Sequence, residues 1–221
     1  MNAPFTPMRL AFLLGVPVAW AVLLLFHPDV DRTDVFASLR PNLTTYQIVH
    51  VGMLFFIGLI GVALYLLVRD LPGTAARISR WAIGPFVVLY GAWEAVIGLG
   101  AAAFVQHAQN APARQRSAVA DALQGLQDDV IIGDPGVVGL LGTAAWLIAA
   151  VAAAFAYRRV RAPALACVLL GFSAIIVSHP PPIGPIGLAC FAAAVGLLAF
   201  MPWTATTADA SLRPPGLGAK V

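Results

Sequence analysis

Charge is scarce in this sequence. Of its 221 residues only 10% are charged, against 60% hydrophobic, and the mean hydropathy is +0.87. Water-soluble domains carry roughly 25% charged residues, so a soluble globule is excluded. Disorder is excluded by the same numbers, because it needs low hydrophobicity and high charge. Cysteine is nearly absent: Cys167 and Cys190 both lie inside apolar stretches, with no CxxC spacing. That rules out a disulfide framework and leaves both as small packing residues. The local metal-binding spacings HxxxH and HExxH are missing too. Lysine occurs once, at Lys220, and the other 12 basic residues are arginine. The isoelectric point near 9.2 would suggest a nucleic-acid partner in a soluble protein. Here the arginines flank hydrophobic segments, where they set orientation and meet anionic lipid head groups, so no nucleic-acid partner is expected.

What the sequence has in quantity is long apolar runs. Six are expected to cross a bilayer, over residues 10–26, 46–68, 81–105, 136–157, 163–178 and 183–203, each near the roughly 20 residues a crossing needs. The first follows Arg9 like a signal peptide, but no A-x-A-like site follows Phe26-His27-Pro28-Asp29, so it reads as an uncleaved span. The last two are separate because Pro180-Pro181-Pro182 cannot lie inside one helix. The expected fold is all-α: a bundle of six transmembrane helices forming a single domain over 1–221, with a disordered cytoplasmic tail at 204–221. Arg9, Arg69, Arg77, Arg80, Arg158, Arg159, Arg161, Arg213 and Lys220 fall on one side of these spans. Arg32, Arg40, Arg114 and Arg116 fall on the other, with most of the aspartates. The positive-inside rule then puts both termini in the cytoplasm of a bacterial inner membrane. Tyr46 would anchor the outer interface, and Trp81, Tyr157 and Trp203 the inner one. In the largest outer loop Val119, Leu123, Leu126 and Val130 recur at helical spacing, which predicts an amphipathic helix lying on the outer surface as connector or lid.

The polar residues gather on the predicted outer side. His27 ends span one, His50 lies in the first turn of span two, His107 follows span three, and His179 ends span five. Pro28 and Pro180 stop their helices at the histidine before them. Imidazole ligates zinc, copper and haem iron, so His50, His179 and His27 are the candidate metal ligands, with Asp29, Asp31, Asp128, Asp129 and Asp134 on the same side. The plainer reading makes them interfacial side chains. Glu94 is the sharper feature: it sits near the middle of span three, roughly 16 Å below the outer end at 1.5 Å per residue. An ionisable group at that depth is a functional hypothesis by default. Gly91, Ala95, Gly98 and Ala102 form a small-residue stripe on the same face, which lets a second helix approach and turns Glu94 into the bundle. With Tyr90 one turn away, Glu94 and Tyr90 are the candidate catalytic pair. Glu94 would act as proton carrier, general acid or hydrogen-bond partner for a head group. A purely structural Glu94 would instead donate to a backbone carbonyl, Thr143 or Ser173.

Phe26-His27-Pro28, Val49-His50-Val51-Gly52, Tyr90-Gly91-Ala92-Trp93-Glu94 and Ser178-His179-Pro180-Pro181-Pro182-Ile183-Gly184-Pro185 together resemble uncharacterised bacterial six-span integral membrane proteins. The resemblance covers nearly the whole chain and implies no activity. The helical-turn histidine pair of alkaline-ceramidase-like hydrolases is absent. The two-sided haem ligation of b561-type cytochromes does not match four histidines on one side. The expected function is a His/Glu-lined site opening to the outer leaflet. It would bind a small molecule, lipid or metal for transport or a membrane-embedded reaction; the sequence leaves the cofactor open, a transition metal or haem being one reading of the histidines. The competing class is an accessory or scaffold subunit. It would meet a protein partner or a second copy through the small-residue faces of spans two, three and four, including Gly58 and Gly61.

Overall fold

The computed structural model describes residues 5–203, so the tail expected at 204–221 lies outside the described residues. Every regular element within them is helical. Helix α1 (Pro7–Leu24) starts where Thr6 Oγ1 accepts from the Arg9 amide at 3.3 Å and proline occupies the first turn. A short helix α2 (Val35–Leu39), capped by the Asp34 carboxylate accepting from the Ala37 amide at 3.0 Å, runs through a 3-10 turn into α3 (Leu43–Val68). Then come α4 (Thr74–Ala108), α5 (Ala113–Gln127), α6 (Val137–Arg159), α7 (Ala164–Val177) and α8 (Ile183–Phe200).

Among the described residues five stretches are long and apolar enough to cross a membrane: α1, α2–α3 as one 34-residue run, α4, α6 and α8. The sixth expected span, 163–178, is shorter in the structure. It is α-helical over Ala164–Phe172 and tightens to 3-10 geometry over Ser173–Val177. The cause is local: Ser173 Oγ donates back to the Leu170 carbonyl at 2.6 Å, and the Ser173 carbonyl accepts from Trp146 Nε1 at 3.2 Å. Large apolar side chains such as Phe55, Val88, Phe155 and Phe172 stand exposed on the helix flanks. Helices that are apolar on their outward faces as well as inward are what contact with lipid requires.

The helices pack in chain order. α1 meets α3, α3 meets α4, α4 meets α6, α6 meets α7, α7 meets α8, and α8 returns to α1. The interior is filled by Trp20, Phe86, Trp146 and Phe191, all fully buried. The α4–α6 contact is close because of Gly142, where a Cβ would come within 2.6 Å of the Tyr90 backbone nitrogen. One end of the ring is rich in arginine. There Arg80 donates to the carbonyls of Val68 at 3.0 Å, Arg69 at 3.4 Å and Leu71 at 3.2 Å, satisfying acceptors that the end of α3 leaves open. Arg9 pairs with Asp70 at 2.9 Å and also donates to the Leu66 carbonyl.

At the other end α5 lies across α2 and the last turns of α4, burying Leu123 among Val35, Leu39, Ala102 and Val105. The amphipathic helix is thus present, but it stops at Gln127, and Val130 is exposed instead of continuing the apolar face. The Asp129 carboxylate accepts from the Ile131 and Ile132 amides at 2.8 and 2.9 Å, which turns the chain before another helical turn can form.

Candidate functional site

Helix α4 is irregular where the sequence placed its key acid. Pro85 removes a helical donor, and the backbone widens to π-helical geometry at Phe86–Tyr90 and again at Ala95–Gly100. The regular turn between them, Gly91–Glu94, carries Trp93 and Glu94. Such widened turns recur at functional sites.

Glu94 is 1% exposed and is paired with His50 Nδ1 of α3; His50 is itself buried. The contact depends on Gly98, one turn along α4, where a Cβ would come within 2.7 Å of Glu94 Oε1. Neither Thr143 nor Ser173 serves as the partner: Ser173 is turned to Leu170, and Thr143 lines the cavity below. The two residues meet because α3 begins at Leu43, ahead of the expected start at Tyr46, so His50 lies roughly 10 Å inside the helix. Helix α4 in turn continues to Ala108, and Glu94 stays near the middle of this 35-residue rod.

Two further histidines arrive from helix ends. His27 follows α1, its amide donating to the Leu24 carbonyl at 3.0 Å before Pro28 ends the turn. His179 follows the 3-10 end of α7 and is buried. The His27 ring centroid lies 5.0 Å from that of His50 and 4.9 Å from that of His179, and the His50–His179 separation is 6.0 Å. Tyr90 Oη lies 2.8 Å from the Val177 carbonyl and 3.1 Å from His179 Nδ1. A carbonyl can only accept, so the single phenolic proton goes to Val177 and the oxygen must accept from His179 Nδ1–H. His179 is therefore the Nδ1–H tautomer, with a lone pair on Nε2. An ionised Glu94 at His50 Nδ1 would hold that ring in the same tautomer.

These groups line one cavity of about 630 Å³, which includes His27, His50, His179, Tyr90 and Glu94. Its mouth is crossed by the Arg32–Asp134 ion pair at 2.8 Å, and Trp93 Nε1 donates to the Gly133 carbonyl at 2.8 Å, tying the Asp134 segment to α4. Burial pushes the His27 imidazole down to about 4, with the neighbouring His50 adding to the effect. Burial likewise holds His179 well below the usual range, followed by the charges of His27, His50 and Arg32. Both rings are neutral at physiological pH. Three ring nitrogens, His27 Nδ1, His27 Nε2 and His50 Nε2, are buried with no hydrogen-bond partner. Each such atom costs on the order of 1–3 kcal/mol.

Glu94, Tyr90, His50, His179 and His27 thus come together, and His107 does not: it is exposed on the last turn of α4. Tyr46, expected as an interface anchor, is 4% exposed and packs its ring 3.9 Å from that of His50. It lines the cavity with Trp93 and Thr143, which the sequence does not assign to the site, and with Asp134, one of the acids expected beside the histidines. As placed, no three His, Cys, Asp or Glu side chains among the described residues converge on a point where a metal ion would sit. Comparison with known protein families, with characterised proteins and with solved structures finds no match.

Proposed function

We propose that this chain is a multi-pass protein of a bacterial cytoplasmic membrane, with α7 as a sixth crossing and both termini in the cytoplasm. Its His/Glu-lined cavity opens to the outer leaflet and binds a small polar molecule, a lipid head group or a metal for a membrane-embedded reaction or uptake. The observation that carries this reading is the convergence of Glu94, Tyr90 and three histidines on one cavity. The side is argued from charge: the opposite end holds Arg9, Arg69, Arg77, Arg80, Arg158 and Arg159. Beneath the cavity Trp20, Phe86, Trp146 and Phe191 are close-packed, so access is one-sided, and a binding or reaction site is favoured over a transport path. In that site Glu94 positions His50, and Tyr90 positions His179.

The accessory-subunit reading would need the small-residue faces free. Gly61 is occupied by Val87 and Ile83, and Gly142 by Tyr90, all within the chain, while Gly58 and Gly84 face open space.

The test is side-specific labelling. With Cys167 and Cys190 replaced by alanine, Thr143→Cys should react with a membrane-impermeant cationic thiol reagent added to right-side-out vesicles. It should not react with the same reagent added outside inverted ones, where only the cytoplasmic face is exposed. Reaction only from the cytoplasmic face, or none from either, overturns an outward-opening cavity.

A further inference from the structure

We propose that His27, His50 and His179 bind one late first-row transition-metal ion, of which Zn(II) and copper are the representatives, at the floor of this cavity. The inference rests on the outward-opening site proposed above and names its ligand class. At a metal–nitrogen distance of about 2.0–2.1 Å, with the ring nitrogen roughly 1.1 Å from its centroid, three ligating imidazoles place their centroids about 3.2 Å from the ion. The observed triangle of ring centroids, 4.9, 5.0 and 6.0 Å on its sides, has a circumscribed radius of about 3.1 Å. The three rings therefore already stand at ligating radius around a common centre.

Their supports are those of ligating histidines. Glu94 at His50 Nδ1 and Tyr90 at His179 Nδ1 fix the tautomers that expose Nε2, the arrangement in which a carboxylate or hydroxyl orients a metal-bound imidazole from behind. His27 has neither nitrogen engaged. The rings stand edge to face, at 62° to 84°, so their donor atoms do not yet aim at the centre. His27, whose ring nitrogens engage no other side chain, is the ring that would have to turn.

Charge favours a cation. Arg32 is matched by Asp134, and Glu94 with Asp29 leaves the cavity lining acidic. An imidazole donor set suits zinc, copper, iron or nickel, whereas magnesium and calcium demand an oxygen cage. A haem does not fit, because the His27 ring, within 5.0 Å of both His50 and His179, occupies the space a porphyrin between them would need.

The experiment uses the full chain in mild detergent, purified through a tag that contains no histidine. After chelator treatment it is titrated with Zn²⁺, with Cu²⁺ and, as control, with Mg²⁺. We expect one equivalent of Zn²⁺ or Cu²⁺ to bind and raise the unfolding temperature, with no response to Mg²⁺. His27→Gln should weaken Zn²⁺ binding by at least tenfold, and the His50→Ala/His179→Ala double variant should abolish it. Because that double variant could misfold, Glu94→Gln is measured beside it: all three imidazoles remain, so one equivalent should still bind, 10- to 100-fold more weakly. Copper-loaded native protein should show nitrogen hyperfine coupling in its paramagnetic resonance spectrum. Failure of the native chain to bind Zn²⁺ or Cu²⁺, or binding that persists undiminished in the double variant, overturns the metal site. If Thr143→Cys is nevertheless labelled from outside, only the metal inference falls; if it is not, the outward-opening cavity falls with it.

Discussion

The two ends of the molecule treat polar atoms in opposite ways. At the arginine end the charges are consumed by the fold: Arg80 covers three carbonyls beyond α3, Tyr157 Oη donates to the Leu67 carbonyl at 2.7 Å, and Arg9 spans Asp70 and Leu66, with only its Nε unmatched. At the histidine end three imidazole nitrogens are buried without partners, around a cavity that the helices could have closed with apolar side chains. Polar atoms that finish helix ends stabilise the fold, and their energetic reason is local. Polar atoms left unmatched at the cost of burial call for a partner such as an ordered water, an ion or a ligand. The contrast separates structure from function more sharply than the charge count, which is higher at the arginine end.

The contrast is broken most directly at Glu94. Glu94→Ala leaves His50 Nδ1 buried without its partner, and loss of one member of a buried pair costs about 3–5 kcal/mol. Unfolding in detergent should register most of that loss, and Glu94→Gln, which keeps a hydrogen-bonding group, should register much less. Equal effects of the two would show that only the carboxylate's charge holds His50, and that neither its volume nor a neutral hydrogen bond can replace it. At the other end Arg80→Ala should cost about 1–3 kcal/mol, the usual penalty for buried acceptors left unmatched. It should not change Zn²⁺ affinity or the labelling of Thr143→Cys. A change in either would mean that the ends are coupled and that the division between them is false.

Much of this was legible before the structure. Runs of apolar residues announce the helices, and a carboxylic acid in the middle of one announces a site, because nothing in lipid can satisfy it. The partner of that acid was not legible. His50 looked shallow because the apolar run was read from Tyr46, while the helix begins at Leu43 and continues a turn seeded by Asp34 upstream. Capping residues ahead of a span carry that information, and hydropathy alone does not. Tyr46 was mistaken for an interface anchor for the same reason: a tyrosine at the edge of an apolar run is at the membrane surface only if no further helix covers it, and here α2 and α5 do. The shortening of α7 follows from one serine hydroxyl turned back on its own helix, which hydropathy counts as nearly neutral. The convergence of His27 and His179 needed the order of the helices around the ring, which periodicity within each helix does not encode.

The smallest expected effect tests how the cavity is entered. Arg32 belongs to the loop after α1 and Asp134 to the loop before α6; they meet at 2.8 Å, and Gln124 of α5 donates to the Arg32 carbonyl at 3.0 Å. Arg32 is 68% exposed, so the pair is a surface one and is worth at most about 1 kcal/mol. Removing it should barely move the unfolding temperature. An energy of that size still biases opening of the mouth by up to about fivefold, because the pair joins two loops that must separate for a solute to enter. Arg32→Ala should therefore speed thiol labelling of Thr143→Cys from outside by about that factor while leaving Zn²⁺ stoichiometry unchanged. The Arg32→Lys variant, which keeps the charge, should restore most of the slower rate. If Arg32→Ala leaves the labelling rate unaltered, the mouth stands open regardless of the pair, and the unmatched imidazoles are then guarded by the cavity walls alone.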